Sequence, residues 1–367
     1  MFDASLYSPL FFSFFCLWGL FVGVQYYNSK GMLQTQRQES ALVGWVAALI
    51  IAIWLGMRPN SGTYFGDTAN YAIIFRAFQP ADFVIDFKKE WLWDSLYYIT
   101  KNLGYDIHFL FTVVSLLYMV TGYAAIPILI PHKPIITLIL FCGSLMFFSF
   151  ATNGLRNGLA CHVTLLVFVL YFKEQRILAA VIAFLAYSIH HSVGIPLAGF
   201  ICSLFIYKRP HWSIIIWGLS FVASLLLGNS LTGFIEQFSV DERLQGYTNL
   251  EQGGEGVQFS SYGFRWDFLA YSAMPIVLGY YTILKKRITD NWYSVLFSTY
   301  CLANAFWVIF IRAAFSNRFA YLSWFMFPIV VAYPLFFFKL WNDQDKKVGQ
   351  IILAYVGFTA VMQFLYW

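Results

Sequence analysis

The segment Asn153-Gly-Leu-Arg156-Asn157-Gly-Leu-Ala160 sets an arginine between two apolar runs, residues 135–150 and 159–172. The connection between the runs is only a few residues long. Arg156 therefore falls at or just inside a membrane boundary, where an ionisable group is costly and faces the protein interior or a water-filled cavity. Other polar residues gather near the ends of apolar runs: Arg58, Asp67, Tyr71, Arg76, Asn153, Asn157, His190, His191, Arg265, Arg312, Asn317, Arg318 and Tyr321. Arginine suits bidentate recognition of phosphate. A group of arginines on one side points to an anionic headgroup such as a lipid pyrophosphate. Preorganised arginines stabilise charge on such a group. Arg156 and Arg318 are the first choice for that work, with Arg58, Arg76 and Arg265 as helpers. Proton transfer at such a site needs a general base. His190, His191 and Asp67 are the candidates, unranked. Adjacent residues on a helix do not share a face, so one histidine of the pair faces a site.

Each residue has a plainer reading. Arg58 precedes Pro59 and suits a snorkelling helix end, as do Arg76 and Arg265. Arg312 and Arg318 bracket a short connection, and one of them serves equally as an interface anchor. Asp67 suits a helix N-terminus. His162 reads as packing, and His108, His132 and His211 carry no role. No metal-binding signature is present, and nothing in the sequence argues for a metal or a cofactor.

The elements that must position these groups are apolar. The 367 residues are 60% hydrophobic, 21% aromatic and 11% charged, with mean hydropathy +0.65. No soluble core absorbs that much apolar surface. The expected fold class is an all-α polytopic membrane protein, one integral membrane domain over residues 1–367. About twelve spans are read at 7–27, 41–56, 107–130, 135–151, 157–172, 177–190, 194–207, 212–228, 267–284, 292–311, 318–338 and 349–366. The start, Met-Phe-Asp-Ala-Ser-Leu-Tyr, lacks a basic region, so the first run is read as a span and not as a cleaved signal. The five cysteines are scattered without metal or disulfide spacing. The net charge of +5 is divided among short loops and does not suggest nucleic acid.

Lys and Arg set the expected orientation. Thirteen of the 23 fall in one set of short connections: Lys30, Arg37, Lys133, Lys173, Arg176, Lys208, Arg209, Lys285 to Arg287, Lys339, Lys346 and Lys347. That set is expected to be cytoplasmic. Both termini and two long connections, about 57–106 and 229–266, are expected outside with the polar residues named above. In the first long connection a helix starts near Asp67 and puts Asp67 and Tyr71 on one face. Residues 90–103 form an amphipathic stretch rich in Trp and Tyr, read as a helix in the membrane interface. There Trp91 and Trp93 are positioned to hold sugars or a polyprenyl chain. The second long connection, with Gly253-Gly254-Glu255-Gly256, reads as mobile and as a lid.

Five motifs in order carry a resemblance. They are Tyr64-Phe-Gly66-Asp67-Thr68-Ala-Asn70-Tyr71; Glu90 opening the helix that leads to Leu103-Gly104; Asn153-Gly-Leu-Arg156-Asn-Gly-Leu-Ala160; Ile189-His190-His191-Ser192; and Asn317-Arg318-Phe-Ala-Tyr321. Over about residues 60–330 the chain resembles the EpsG-like family of Wzy-type polysaccharide polymerases. The resemblance implies a GT-C-like enzyme of the bacterial inner membrane, acting on the periplasmic or extracytoplasmic face. It implies polymerisation of O-antigen, capsule or exopolysaccharide repeat units carried on undecaprenyl pyrophosphate. The growing glycan would be the donor and a new lipid-linked repeat unit the acceptor, with a chain-length regulator as a further partner. An O-antigen ligase is the nearest rival, but it concentrates its chemistry in one large outer loop. A flippase or transporter would carry charges in mid-span and an internal repeat. A membrane acyltransferase would need polar residues crossing the bilayer. The sequence has none of these features.

Overall fold

A computed structural model describes residues 3–30, 33–228, 264–313 and 316–366. Among them all regular structure is helical, with no strand. The lid expected in the second long connection lies outside the described residues.

The chain forms two compact units, Met1–Gly194 with Val331–Trp367, and Ile195–Val330. In the first unit, α1 (Ala4–Asn28) starts where Asp3 accepts from the Ser5 N–H at 2.9 Å. One face of α1 buries Phe11, Phe15, Val22 and Tyr26, while Phe14, Leu17 and Phe21 stay exposed, as lipid-facing side chains would. The chain continues through α2 (Leu33–Gln36), α3 (Ala41–Gly56), α4 (Gly62–Phe65), α5 (Thr68–Ala77) and α6 (Trp91–Asn102). Next come α7 (Ile107–Leu129), α8 (Pro134–Cys142), α9 (Phe147–Thr152), α10 (Leu155–Phe172) and α11 (Arg176–Ile189). The second unit holds α12 (Gly194–Ile206), α13 (His211–Leu227), α14 (Trp266–Tyr280), α15 (Asn291–Ile309) and α16 (Ser316–Trp324). The last two helices are α17 (Phe327–Phe337) and α18 (Gln344–Tyr366).

Among the described residues, six helical stretches are long and apolar enough to cross a membrane: Ala4–Asn28, Ile107–Leu129, Leu155–Phe172, Trp266–Lys285, Asn291–Ile309 and Ser316–Phe337. Helices α3, α11, α12 and α13 are apolar but shorter. The run expected as one span over 135–151 is broken. Helix α8 stops at Cys142, where the Gly143 and Ser144 N–H groups and the Ser144 hydroxyl turn back to the Ile139 and Phe141 carbonyls. Serine competes with the backbone in this way, and glycine adds little to a helix interior. The run over 318–338 is interrupted between α16 and α17. Pro328 has no N–H to continue the ladder and its ring crowds the preceding turn.

Packing in the first unit relies on small residues. A side chain at Gly23 of α1 would meet Leu353 of α18 at 2.8 Å, and one at Gly349 would meet the Gly23 carbonyl at 2.7 Å. Without a hydrophobic drive between helices in lipid, close backbone approach of this kind supplies the van der Waals contact. Helix α6 is amphipathic as its sequence predicts. It buries Trp93, Tyr97 and Thr100 and leaves Ile99 exposed.

Candidate active site

The turn that ends α9 and starts α10 is held from several sides. The Thr152 carbonyl accepts from the Thr68 hydroxyl at 2.6 Å and from Arg58 Nη2 at 3.3 Å. Asn153 Oδ1 accepts from the Asp67 N–H at 2.7 Å. Gly66, just before, has φ +51°, and a Cβ there would lie 2.7 Å from Asn153 Oδ1. Only glycine combines that backbone conformation with that approach. The result is a fixed start for α10, with Arg156 in its first turn.

Arg156 Nη1 donates to Glu90 Oε2 at 2.7 Å. The other carboxylate oxygen, Glu90 Oε1, is hydrogen-bonded to His190 Nδ1. Glu90 is the N-terminal cap of α6, and its carbonyl accepts from the Trp93 and Asp94 N–H groups. A carboxylate at that position suits the helix dipole. His190 stands where α11 stops, with an extended backbone (φ −158°) before a single 3-10 turn over His191–Val193. One buried carboxylate thus joins an arginine from α10 and an imidazole from the α11 break. The Glu90 side chain is 10% exposed, while Arg156 keeps 28% and His190 18%. The bridging carboxylate is interior, and the cation and the imidazole still offer surface.

Around the cluster, the Arg156 guanidinium lies 5.9 Å from the centre of the Tyr71 ring, and Tyr71 packs on Trp93 at 5.4 Å. Burial raises the Tyr71 hydroxyl, and Arg156 opposes that rise. Burial likewise lifts the Asp94 carboxyl above the usual range, again against the pull of Arg156. Chemically, a neutral His190 that donates Nδ1–H to Glu90 has its lone pair on Nε2, ready to accept a proton. The imidazolium formed would be stabilised by the same carboxylate. Arg156, oriented by Glu90, can meet an anionic group.

The remaining expected residues fall in varied places. Arg58 has no exposed surface. It donates to the Leu55 carbonyl at 2.8 Å and stacks over Phe111 at 4.4 Å. Burial pushes its guanidinium down to about 9. Arg76 is exposed, with Nε on the Ala72 carbonyl. Asn157 is buried and accepts from the Cys161 thiol at 3.3 Å. His191 stacks on Tyr187 with ring centres 4.6 Å apart. Asp67 accepts from the Asn70 amide at 3.2 Å and makes no side-chain cap for α5. Trp91 is half-buried beside Phe87 and Phe184, and Trp93 is buried. In the second unit, Arg265 makes a two-point pair with Asp267 (3.0 and 2.7 Å) and stacks on Phe268 at 3.6 Å. Arg312 lies 5.2 Å over Phe264. Asn317 and Arg318 open α16 half-buried, and Tyr321 is buried.

Glu90 is the residue that the sequence reading quoted without giving it a role. The signal was available. An arginine at a membrane boundary needs a counter-ion, and Glu90 is a carboxylate on the same predicted side, at the head of the amphipathic helix.

No curated protein and no solved structure matches the chain. The EpsG family matches residues 42–367, a stretch that includes every one of these side chains. The chain therefore belongs to the EpsG family, a family of Wzy-like polysaccharide polymerases.

Proposed function

We propose that the protein is a membrane glycosyltransferase that joins undecaprenyl-pyrophosphate-linked repeat units on the extracytoplasmic face, with Glu90, Arg156 and His190 as its reacting cluster. The observation that carries this reading is the single carboxylate shared by Arg156 and His190. In the step proposed, an acceptor hydroxyl oxygen attacks the anomeric carbon of the donor glycan. The bond from that carbon to the pyrophosphate oxygen breaks. The hydroxyl proton passes to His190 Nε2, and Glu90 stabilises the imidazolium. The electron pair of the broken bond leaves on undecaprenyl pyrophosphate, whose charge Arg156 meets. The Tyr71 ring, itself packed on Trp93, lies beside the Arg156 guanidinium, and the Thr152 to Gly154 turn fixes the start of α10.

A deletion strain complemented with wild type, Arg156→Ala, Glu90→Ala or His190→Ala, at matched expression, tests the proposal by polysaccharide gel profile. The expected result is loss of the ladder with a single repeat unit still on its lipid core. A normal ladder from Glu90→Ala would overturn the assignment of the cluster. Loss of the single unit as well would replace the polymerase reading with ligase or flippase.

A further inference from the structure

Residues 78–89 and the first turn of α6 line an open cavity of about 600 Å³ at the surface. That lies within the ~300–1,000 Å³ of small-molecule sites. The wall combines the rings of Phe83, Phe87 and Trp91 with the carboxylates of Asp82, Asp86 and Asp94, and two lysines complete it. At the rim, Val84 is 78% exposed, and Ile85 and Phe87 are also exposed. Glu90 lies in sequence between Lys89 and Trp91, both of which line the cavity.

We propose that this cavity binds the terminal sugar of the acceptor oligosaccharide, a pyranose carried on a lipid-linked repeat unit. The inference rests on the polymerase reading and assigns the acceptor side of its site. A donor glycan is located by its own pyrophosphate at Arg156. The acceptor's reacting sugar is at the far end of its oligosaccharide from its pyrophosphate, so the protein must hold the sugar itself. A pyranose offers a face of polarised C–H groups and an edge of hydroxyls. The negative faces of aromatic rings match the first. Carboxylates accept from hydroxyls, while the ammonium groups donate to them. The exposed apolar rim suits a substrate that arrives from the bilayer. Sugar held against Trp91 and Asp94 is one residue, or one helical turn, from the carboxylate that orients His190.

Two measurements on the purified full-length protein in detergent or proteoliposomes test this. The first is binding of the free repeat-unit oligosaccharide, released from its lipid by mild acid, by saturation-transfer NMR. The second is the acceptor KM and kcat for polymerisation. Asp82→Asn removes a carboxylate oxygen on an exposed 3-10 turn, and Trp91→Leu removes an aromatic ring from the wall while keeping an apolar side chain. Each is expected to weaken oligosaccharide binding and raise the acceptor KM by about tenfold, with kcat within about twofold. Wild-type KM and binding in both variants would overturn the proposal, as would absence of oligosaccharide binding to wild type. Binding to wild type, weakened in the variants, without any polymer formation would keep the cavity as a saccharide site and overturn the polymerase reading instead.

Discussion

The first unit has a polar cluster at each end of α3, and the two are built differently. At the start of α3, Asp345 has no exposed surface. It accepts from the Ser29 hydroxyl (2.6 Å), the Gln34 N–H (2.6 Å), and the Thr35 N–H and hydroxyl (2.9 and 2.8 Å). Lys133, 1% exposed, reaches the Gln34 carbonyl and lies 3.7 Å from Glu39. Glu39 Oε2 in turn accepts the Ile135 and Ile136 N–H groups at the head of α8. Towards the other end of α3, a helix ~24 Å long with its 16 residues, Glu90 joins Arg156 and His190. At the first end the charges are spent on backbone and on one another. At the second, one carboxylate orients two groups that keep surface for something else. Charges closed in on themselves specify structure, whereas charges held but left partly open are the arrangement for chemistry.

That contrast breaks most sharply at Glu90. Glu90→Gln should lower the polymerisation rate by about 10²–10⁴, the usual worth of an oriented general base, a far larger effect than on thermal unfolding, because Arg156 keeps 28% of its side-chain surface exposed when its charge is left unpaired. A melting point falling together with the rate would make the second cluster structural, like the first. Asp345→Ala is expected to do the reverse. Four donors, two of them on buried Thr35 and two on half-buried Ser29 and Gln34, lose their acceptor, at about 1–3 kcal/mol for each buried one before relaxation, and a net loss of about 3 kcal/mol is expected. Detergent unfolding should show that loss, with the rate per folded molecule unchanged. Gly66→Ala comes next. A non-glycine residue at φ +51° costs about 1–2 kcal/mol, and the new Cβ would press on Asn153. The rate should fall by about fivefold, equivalent to about 1 kcal/mol in the barrier. An unchanged rate would mean that the Asn153 turn does not position Arg156.

Much of this division was legible in the sequence. Sorting Lys and Arg placed residues 30–39, 132–134 and 339–347 on one side, and those connections meet in the Asp345 and Lys133 cluster. Arg156 and the His190-His191 pair stood out because charge at the end of an apolar run is costly. The sequence also allowed only one histidine of the pair to face a site. Which one depends on the break after Ile189, whose extended His190 turns to Glu90 while His191 stacks on Tyr187. The burial of Arg58 was not legible, because an arginine before a proline looks the same whether it snorkels or folds inward over Phe111. Nor were the breaks at Gly143 and before Pro328, since apolar composition runs on through both. Glu90 was visible as a cap but not as a bridge, because a contact between residues 90, 156 and 190 belongs to tertiary structure and leaves no local period.

The smallest effect sharpens the comparison at the closed end. Burial raises the Glu39 carboxyl above its usual range, more than Lys133 and the two backbone N–H groups lower it. Burial also lowers the Lys133 ammonium, more than Glu39 raises it. Both partners are thus pushed towards their neutral forms, so desolvation outweighs their attraction at 3.7 Å. The sign follows for each. A raised carboxyl contributes stability that is complete below its unfolded value and is lost as pH rises through the folded one. A lowered amine contributes stability that is present above its unfolded value and is lost as pH falls through the folded one. Glu39→Gln keeps a neutral acceptor for Ile135 and Ile136. It should abolish the decline of the melting point between acid and neutral pH. It should also steepen the loss of stability as pH falls through the alkaline range, because a protonated Lys133 then faces burial without its carboxylate. Melting curves in detergent from about pH 4 to about pH 10 check both limbs. A constant offset between variant and wild type at every pH would mean that the pair is held by attraction, and that the closed end is closed for a different reason than burial.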